Sequence, residues 1–115
     1  MIDEFLSQLP EAIYVETTNR CNLKCTMCHH GYGLTGPKGD MSWEVFRKII
    51  DRIDSIPNYS PRVALHMNGE PALHKEFIRF CRYAASKGLY TFIHTNGTLL
   101  HPKIAKELIE AGLSE

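Results

Sequence analysis

An excess of charge of either sign is missing from this chain: 13 Lys and Arg stand against 13 Asp and Glu over 115 residues. No global positive field draws nucleic acid or an anionic membrane surface, so neither partner is suggested. No apolar run approaches the ~20 residues of a bilayer-spanning helix. The N-terminus, MIDEFLSQLPEA, has early acids and no basic region, so it does not read as a secretory signal. A cytoplasmic, reducing location is the resulting expectation. Structural disulfides are not expected there, and clustered cysteines read more naturally as metal ligands. Internal repeats, low-complexity tracts and interdomain linkers are also lacking. GYGLTGPKG (31–39) is rich in glycine, but no Lys-Ser/Thr follows at P-loop spacing. It reads as a cover or a substrate-side loop. No Ser-His-Asp order or paired carboxylates stand out. What is present is an ordinary single-domain composition, 43% hydrophobic and 23% charged.

Strand and helix patterns alternate. AIYVETT (12–18) is apolar and β-branched and predicts a strand. Five glycines or prolines between Gly31 and Gly39 then exclude a helix. In MSWEVFRKIIDRIDSI, Ser42 reads as an N-cap, with Met41 and Phe46 at the spacing of a hydrophobic staple. Trp43, Phe46, Ile49, Ile50, Ile53 and Ile56 form one stripe, which predicts a helix of about four turns. RVALHM (62–67) predicts a second strand and NGEPALH a turn. Phe77, Phe80, Cys81, Ala84 and Ala85 mark a second helix closed by Gly88. LYTFIHT (89–95) predicts a third strand, and Pro102 opens a third helix with Ile104, Ala105, Leu108 and Ile109 as its apolar face. This is the pattern of successive βα units on a parallel sheet, an α/β fold. Such sheets place ligand sites at the carboxyl ends of the strands. NRCNLKCTMCHH, NGEPALH and TNGTLL, the stretches after the three strands, should therefore open onto one edge. His66 and His94, within strands, read as hydrogen-bonded core or edge residues.

CNLKCTMCHH (21–30) holds three of the four cysteines as C-x3-C-x2-C. On a helix Cys21, Cys25 and Cys28 would share a face and make a buried seam, but Asn22, Lys24 and Thr26 lie between them and the stretch follows a strand. A Cys3His zinc site completed by His29 or His30 is a second reading. Zinc sites usually draw on two spaced pairs, however, and the first histidine directly adjoins the third cysteine. An iron–sulfur cubane is a third reading. It usually takes four thiolates, so three leave one iron open. Cys81 lies on the apolar face of the second helix and reads as core.

C-x3-C-x2-C just beyond a first strand resembles the signature of the radical SAM (S-adenosylmethionine) superfamily. ETTNRCNLKCTMC looks like that family's first strand and cluster loop, NGEP (68–71) resembles its GGEP-type motif, and HTNGTLL (94–100) resembles a common continuation. The resemblance implies a partial (βα)6 TIM-like barrel, of which residues 1–115 would be the N-terminal half: a single truncated core domain ending as a fourth strand begins. It implies that Cys21, Cys25 and Cys28 hold three irons of a 4Fe-4S cluster whose fourth iron binds S-adenosylmethionine. Reductive cleavage would then give a 5′-deoxyadenosyl radical that abstracts hydrogen from a substrate the sequence does not identify. An electron donor such as flavodoxin or ferredoxin is implied as a partner.

Carried over by residue, Met27 stands where the family usually has an aromatic or bulky residue against the adenine. Gly69, Glu70 and Pro71 match the segment that lines the methionine amino group, with Asn68 in place of the motif's first glycine. Thr95 and Asn96 are placed to hydrogen-bond ribose or carboxylate. Each also has a plainer reading. NGEP would serve as a strand-to-helix turn, with Glu70 a favourable charge near a helix N-terminus. TNG would serve as an Asn-Gly turn. Two rival functions remain at this level: a small Cys3His zinc-binding module, and an inert fragment that needs a missing C-terminal half. A half-barrel is expected to leave an unpaired edge at the third strand.

Overall fold

The computed structural model describes residues 1–33 and 36–115, with the side chain of Ile2 excepted. Part of GYGLTGPKG, at 34–35, lies outside the described residues. The elements run α1 (Ile2–Leu6), β1 (Ala12–Tyr14), α2 (Trp43–Asp54), β2 (Arg62–Ala64), a 3-10 turn (Pro71–Leu73), α3 (Phe77–Ser86), β3 (Tyr90–Phe92) and α4 (Pro102–Glu110). The strands form one parallel sheet in the order β1-β2-β3. Ala12, Arg62 and Tyr90 lie in register, as do Tyr14, Ala64 and Phe92.

Strand alternation divides the sheet into two faces. Ile13, Val15, Val63 and Leu65 point to the core, where they meet Phe46, Ile50 and Ile53 of α2, Phe77, Phe80 and Ala84 of α3 and Leu108 of α4. Phe46 and Phe80 stack at 4.1 Å between centroids. Arg79 lies 3.8 Å over the Trp43 ring, a cation–π contact that seals the α2–α3 seam. The fully buried Cys81 thiol sits in this core, and burial pushes its pKa up to about 12. The start of α2 follows the sequence: Ser42 Oγ accepts from Val45 N–H at 3.3 Å, and Met41 packs against the core cluster to which Phe46 belongs.

Four expectations are corrected. The strands are shorter than 12–18, 62–67 and 89–95. Val15 N–H still bonds Ala64 O, and Leu65 N–H bonds Phe92 O, but then side chains replace the ladder. Thr17 Oγ1 donates to Leu65 O, Asn68 N–H donates to Glu16 Oε1, and His94 N–H donates to His66 Nδ1. Helix α2 ends at Asp54, short of Ile56. Ile109 is 76% exposed rather than packed, and with Leu100 and Leu113 it lines an apolar groove beside β3. The edge of β3 is not bare: Glu115 N–H bonds Thr91 O and Ile93 N–H bonds Glu115 O, the two-bond pattern of a parallel bridge. One short element, α1, was not legible from the sequence.

Candidate functional site

The three loops leaving the carboxyl ends of the strands lie together and are tied by side chains. Glu70 N–H donates to Arg20 O at 2.8 Å, which joins the second loop to the first. Gly69 is required at that junction, because a Cβ there would stand 2.1 Å from Thr18 O and 2.9 Å from Arg20 O. Asn96 Nδ2 donates to Asn22 Oδ1 at 2.8 Å and lies 4.0 Å from Cys21 Sγ, so the third loop reaches the first beside a cysteine. Asn22 Nδ2 in turn donates to Thr98 Oγ1 at 2.8 Å. Arg20 forms a bidentate pair with Asp40 and also donates to Leu73 O. Its guanidinium holds the Asp40 carboxyl below the usual carboxylate range.

Glu70 is the centre of this lacing. It is buried, 2% exposed. Its Oε1 accepts from Thr95 Oγ1 at 2.6 Å and from Ala72 N–H at 3.2 Å, and its Oε2 accepts from Asn96 N–H at 2.7 Å. The carboxylate thus caps the 3-10 turn, as the plainer reading of NGEP held, and also latches the second loop to the third. Thr95 Oγ1 further accepts from Gly97 N–H, and Asn96 Oδ1 accepts from Thr98 N–H and Oγ1. Both side chains therefore spend their polar atoms on shaping the loop.

The cysteine loop coils on itself. Cys28 N–H donates to Cys25 O and Gly31 N–H to Cys28 O, at 3.0 and 2.9 Å. Gly31 admits this turn because a Cβ would fall 2.1 Å from Cys25 O. Cys21 and Cys25 are half-buried and Cys28 is exposed. Met27, expected against an adenine, is 87% exposed. Among the described residues no three His, Cys, Asp or Glu side chains are gathered as a metal-holding group. The donor chemistry nonetheless fits a sulfur-ligated metal group: three thiols share one short loop, and the neighbouring His30 Nε2 is buried without a hydrogen-bond partner among the described residues. His29, by contrast, is exposed.

Tyr14, His66, Phe92 and His94 line the sheet face opposite the helices. His66 packs edge-on to Tyr14 and Phe92, each at 5.8 Å, and lies 4.6 Å from the His94 ring. His66 Nδ1 accepts from the His94 N–H, so the neutral ring carries its proton on Nε2. Burial, then the neighbouring His94, pushes the His66 pKa below its ordinary value. Glu16, Arg20, Asn22 and Asp40 were not singled out from the sequence as site residues, whereas His30 was weighed there only as a zinc ligand. Of the four, only Asn22 had a signal, since it lies inside the CNLKCTMCHH stretch.

Comparison with known proteins bears on this arrangement. The model of the radical SAM superfamily matches residues 15–115. The tungsten-containing aldehyde ferredoxin oxidoreductase cofactor-modifying protein of Pyrococcus furiosus is 37% identical over 101 residues, 88% of this chain and 28% of that protein. Fe-coproporphyrin III synthase of Methanosarcina barkeri is 37% identical over 97 residues, 84% of this chain and 24% of that protein. The crystal structure of BtrN in complex with AdoMet and 2-DOIA superposes with a TM-score of 0.85 at 26% identity, over 92% of this chain and 44% of BtrN. The chain belongs to the radical SAM superfamily. Its parallel α/β fold matches that of BtrN, and the partial coverage is in line with part of a partial TIM-like barrel. The chain spans under a third of these two curated relatives. No helix of the described residues is long and apolar enough to cross a membrane.

Proposed function

We propose that residues 1–115 form the cluster- and cofactor-binding part of a radical SAM enzyme, a single truncated core domain. Superfamily membership carries this reading. Cys21, Cys25 and Cys28 would hold a 4Fe-4S cluster, which when bound supplies the low-potential electron for cleaving S-adenosylmethionine. Met27, exposed beside the last cysteine, is free to pack its polarisable thioether on a flat ring. Gly69 and Pro71 give a close, stiff backbone turn suited to an ammonium. Glu70 acts here as a positioning residue through its bonds to Thr95 and Asn96. Those two residues set the third loop against Cys21 and would face the ribose or carboxylate of the cofactor. An electron donor such as flavodoxin or ferredoxin would supply the electron. Substrate would meet the helix-free face of Tyr14, His66, Phe92 and His94.

The deciding experiment is anaerobic reconstitution with iron and sulfide, followed by EPR of the reduced chain with and without S-adenosylmethionine. The expected result is a cluster signal that changes on adding the cofactor and is lost in Cys28→Ala. A signal blind to the cofactor would refute the assignments at 69–71 and 95–96. A chain that takes up zinc but no cluster would refute the ligand reading.

A further inference from the structure

His30 stands two residues beyond Cys28, on the turn made by Gly31 N–H to Cys28 O and Gly33 N–H to His30 O. Its Nδ1 lies 3.4 Å from Lys38 Nζ. An ammonium only donates, so Nδ1 is the acceptor and the ring proton sits on Nε2. That Nε2 is buried and has no hydrogen-bond partner among the described residues. A buried donor without an acceptor is costly, and folded proteins rarely keep one without a reason. Beside His30 in sequence lie the three thiols of the loop, and no carbonyl or carboxylate of the described residues bonds this nitrogen.

We propose that His30 Nε2–H is a hydrogen-bond donor to the sulfurs of the cluster held by Cys21, Cys25 and Cys28, with Lys38 fixing the tautomer, and that this bond raises the cluster's reduction potential. The proposal rests on the ligand reading above. Hydrogen bonds to cluster sulfurs are one of the terms that set such potentials. A donor favours the reduced state because that state carries more negative charge on sulfur. His30 is thus a tuning residue that works through the thiolates and sulfides, and ligates nothing itself.

Two measurements on the full chain test this. In the metal-free chain, nitrogen-15 shifts of the imidazoles should report His30 protonated at Nε2. A ring protonated at Nδ1 would overturn the proposal. After anaerobic reconstitution, EPR-monitored reductive titration compares the unmodified chain with His30→Ala, His30→Phe and His30→Gln. Loss of the donor should make reduction about tenfold harder, ~59 mV more negative for one electron. His30→Phe keeps a ring of similar size and should give the same shift, so it serves if the alanine variant does not load. His30→Gln retains an N–H and should recover part of the potential. Loaded Ala and Phe variants with the unmodified potential would overturn the role of His30 while leaving the ligands standing. Failure of the unmodified chain to take a cluster would overturn the ligand reading, and the proposal with it.

Discussion

Replacing Glu70 by Gln tests whether the loop edge is laced through one buried carboxylate. The side chain takes three donors: Thr95 Oγ1 and Ala72 N–H on Oε1, and Asn96 N–H on Oε2. Glutamine offers one acceptor oxygen. If that oxygen faces Thr95 and Ala72, the amide nitrogen faces the Asn96 N–H. If it is flipped, the nitrogen can donate to Thr95, but the Ala72 N–H is left without an acceptor. Either way one backbone donor is orphaned at a side chain 2% exposed. An orphaned donor costs about 1–3 kcal/mol, and the remaining bonds lose the extra ~1 kcal/mol that a charged acceptor gives. The expected destabilisation is about 3 kcal/mol. At about 2.1 cal/mol/K per residue, a chain of 115 residues has an unfolding entropy of about 0.24 kcal/mol/K. The midpoint should fall by ~12 °C in metal-free, cofactor-free protein followed by circular dichroism. Exchange of the Asn96 amide should also speed up relative to the core. The control is Glu76→Gln, whose exposed partner Arg79 lies 2.7 Å away and which should cost no more than about 0.5 kcal/mol. Equal stability of the two variants would refute the latch and leave Glu70 as a turn cap alone.

Gly69→Ala should cost about 3 kcal/mol in urea unfolding, because its Cβ meets backbone oxygens of Thr18 and Arg20, whereas Gly39→Ala, with nothing within 4 Å, should be near neutral. Phe80→Ala removes a fully buried ring stacked on Phe46 and should cost about 3–5 kcal/mol in the same assay. His66 has a folded pKa below its ordinary 6.5, so between the two values the unfolded chain binds more protons. Its contribution is full above pH 6.5 and is lost as pH falls toward the folded value. His66→Gln keeps an acceptor for the His94 N–H and should flatten the stability–pH curve in that window; an unchanged slope would refute the assignment. Asp40, held below its ordinary 3.8 by Arg20, adds stability above that pH which is lost in acid, and Asp40→Asn should remove this component from an acid titration.

The helices were the easiest part to read, because their signals are local. Ser42, Met41 and Phe46 fix the start of α2 within six residues, and the stripe from Trp43 to Ile53 fixes its buried face. Ile109 misleads because the 3.6-residue period marks it as apolar-facing, while what covers that side of α4 is not a property of α4. The strand ends misled for a related reason. Alternation of Tyr14 and Glu16 with Val15 and Thr17 continues beyond the ladder, so the pattern overruns the point where Thr17, Glu16 and His66 side chains take over the backbone bonds.

The same division runs through the site. The three motifs were visible as words, and the parallel order explains why words far apart in sequence share one edge. Their mutual attachment was not visible, because it depends on register. Ala64 opposite Phe92 brings the Glu70 turn level with Thr95, and nothing in either word shows that the acid of one is the anchor of the other. This changes how the motifs are to be tested. A loss of cofactor response on altering Glu70, Thr95 or Asn22 does not by itself identify a cofactor contact, since each also holds the loops in place. A contact shows itself only where the metal-free variant keeps its stability and amide protection and still loses the response. Met27, exposed and bonded to nothing in the lacing, is the position where that separation is cleanest.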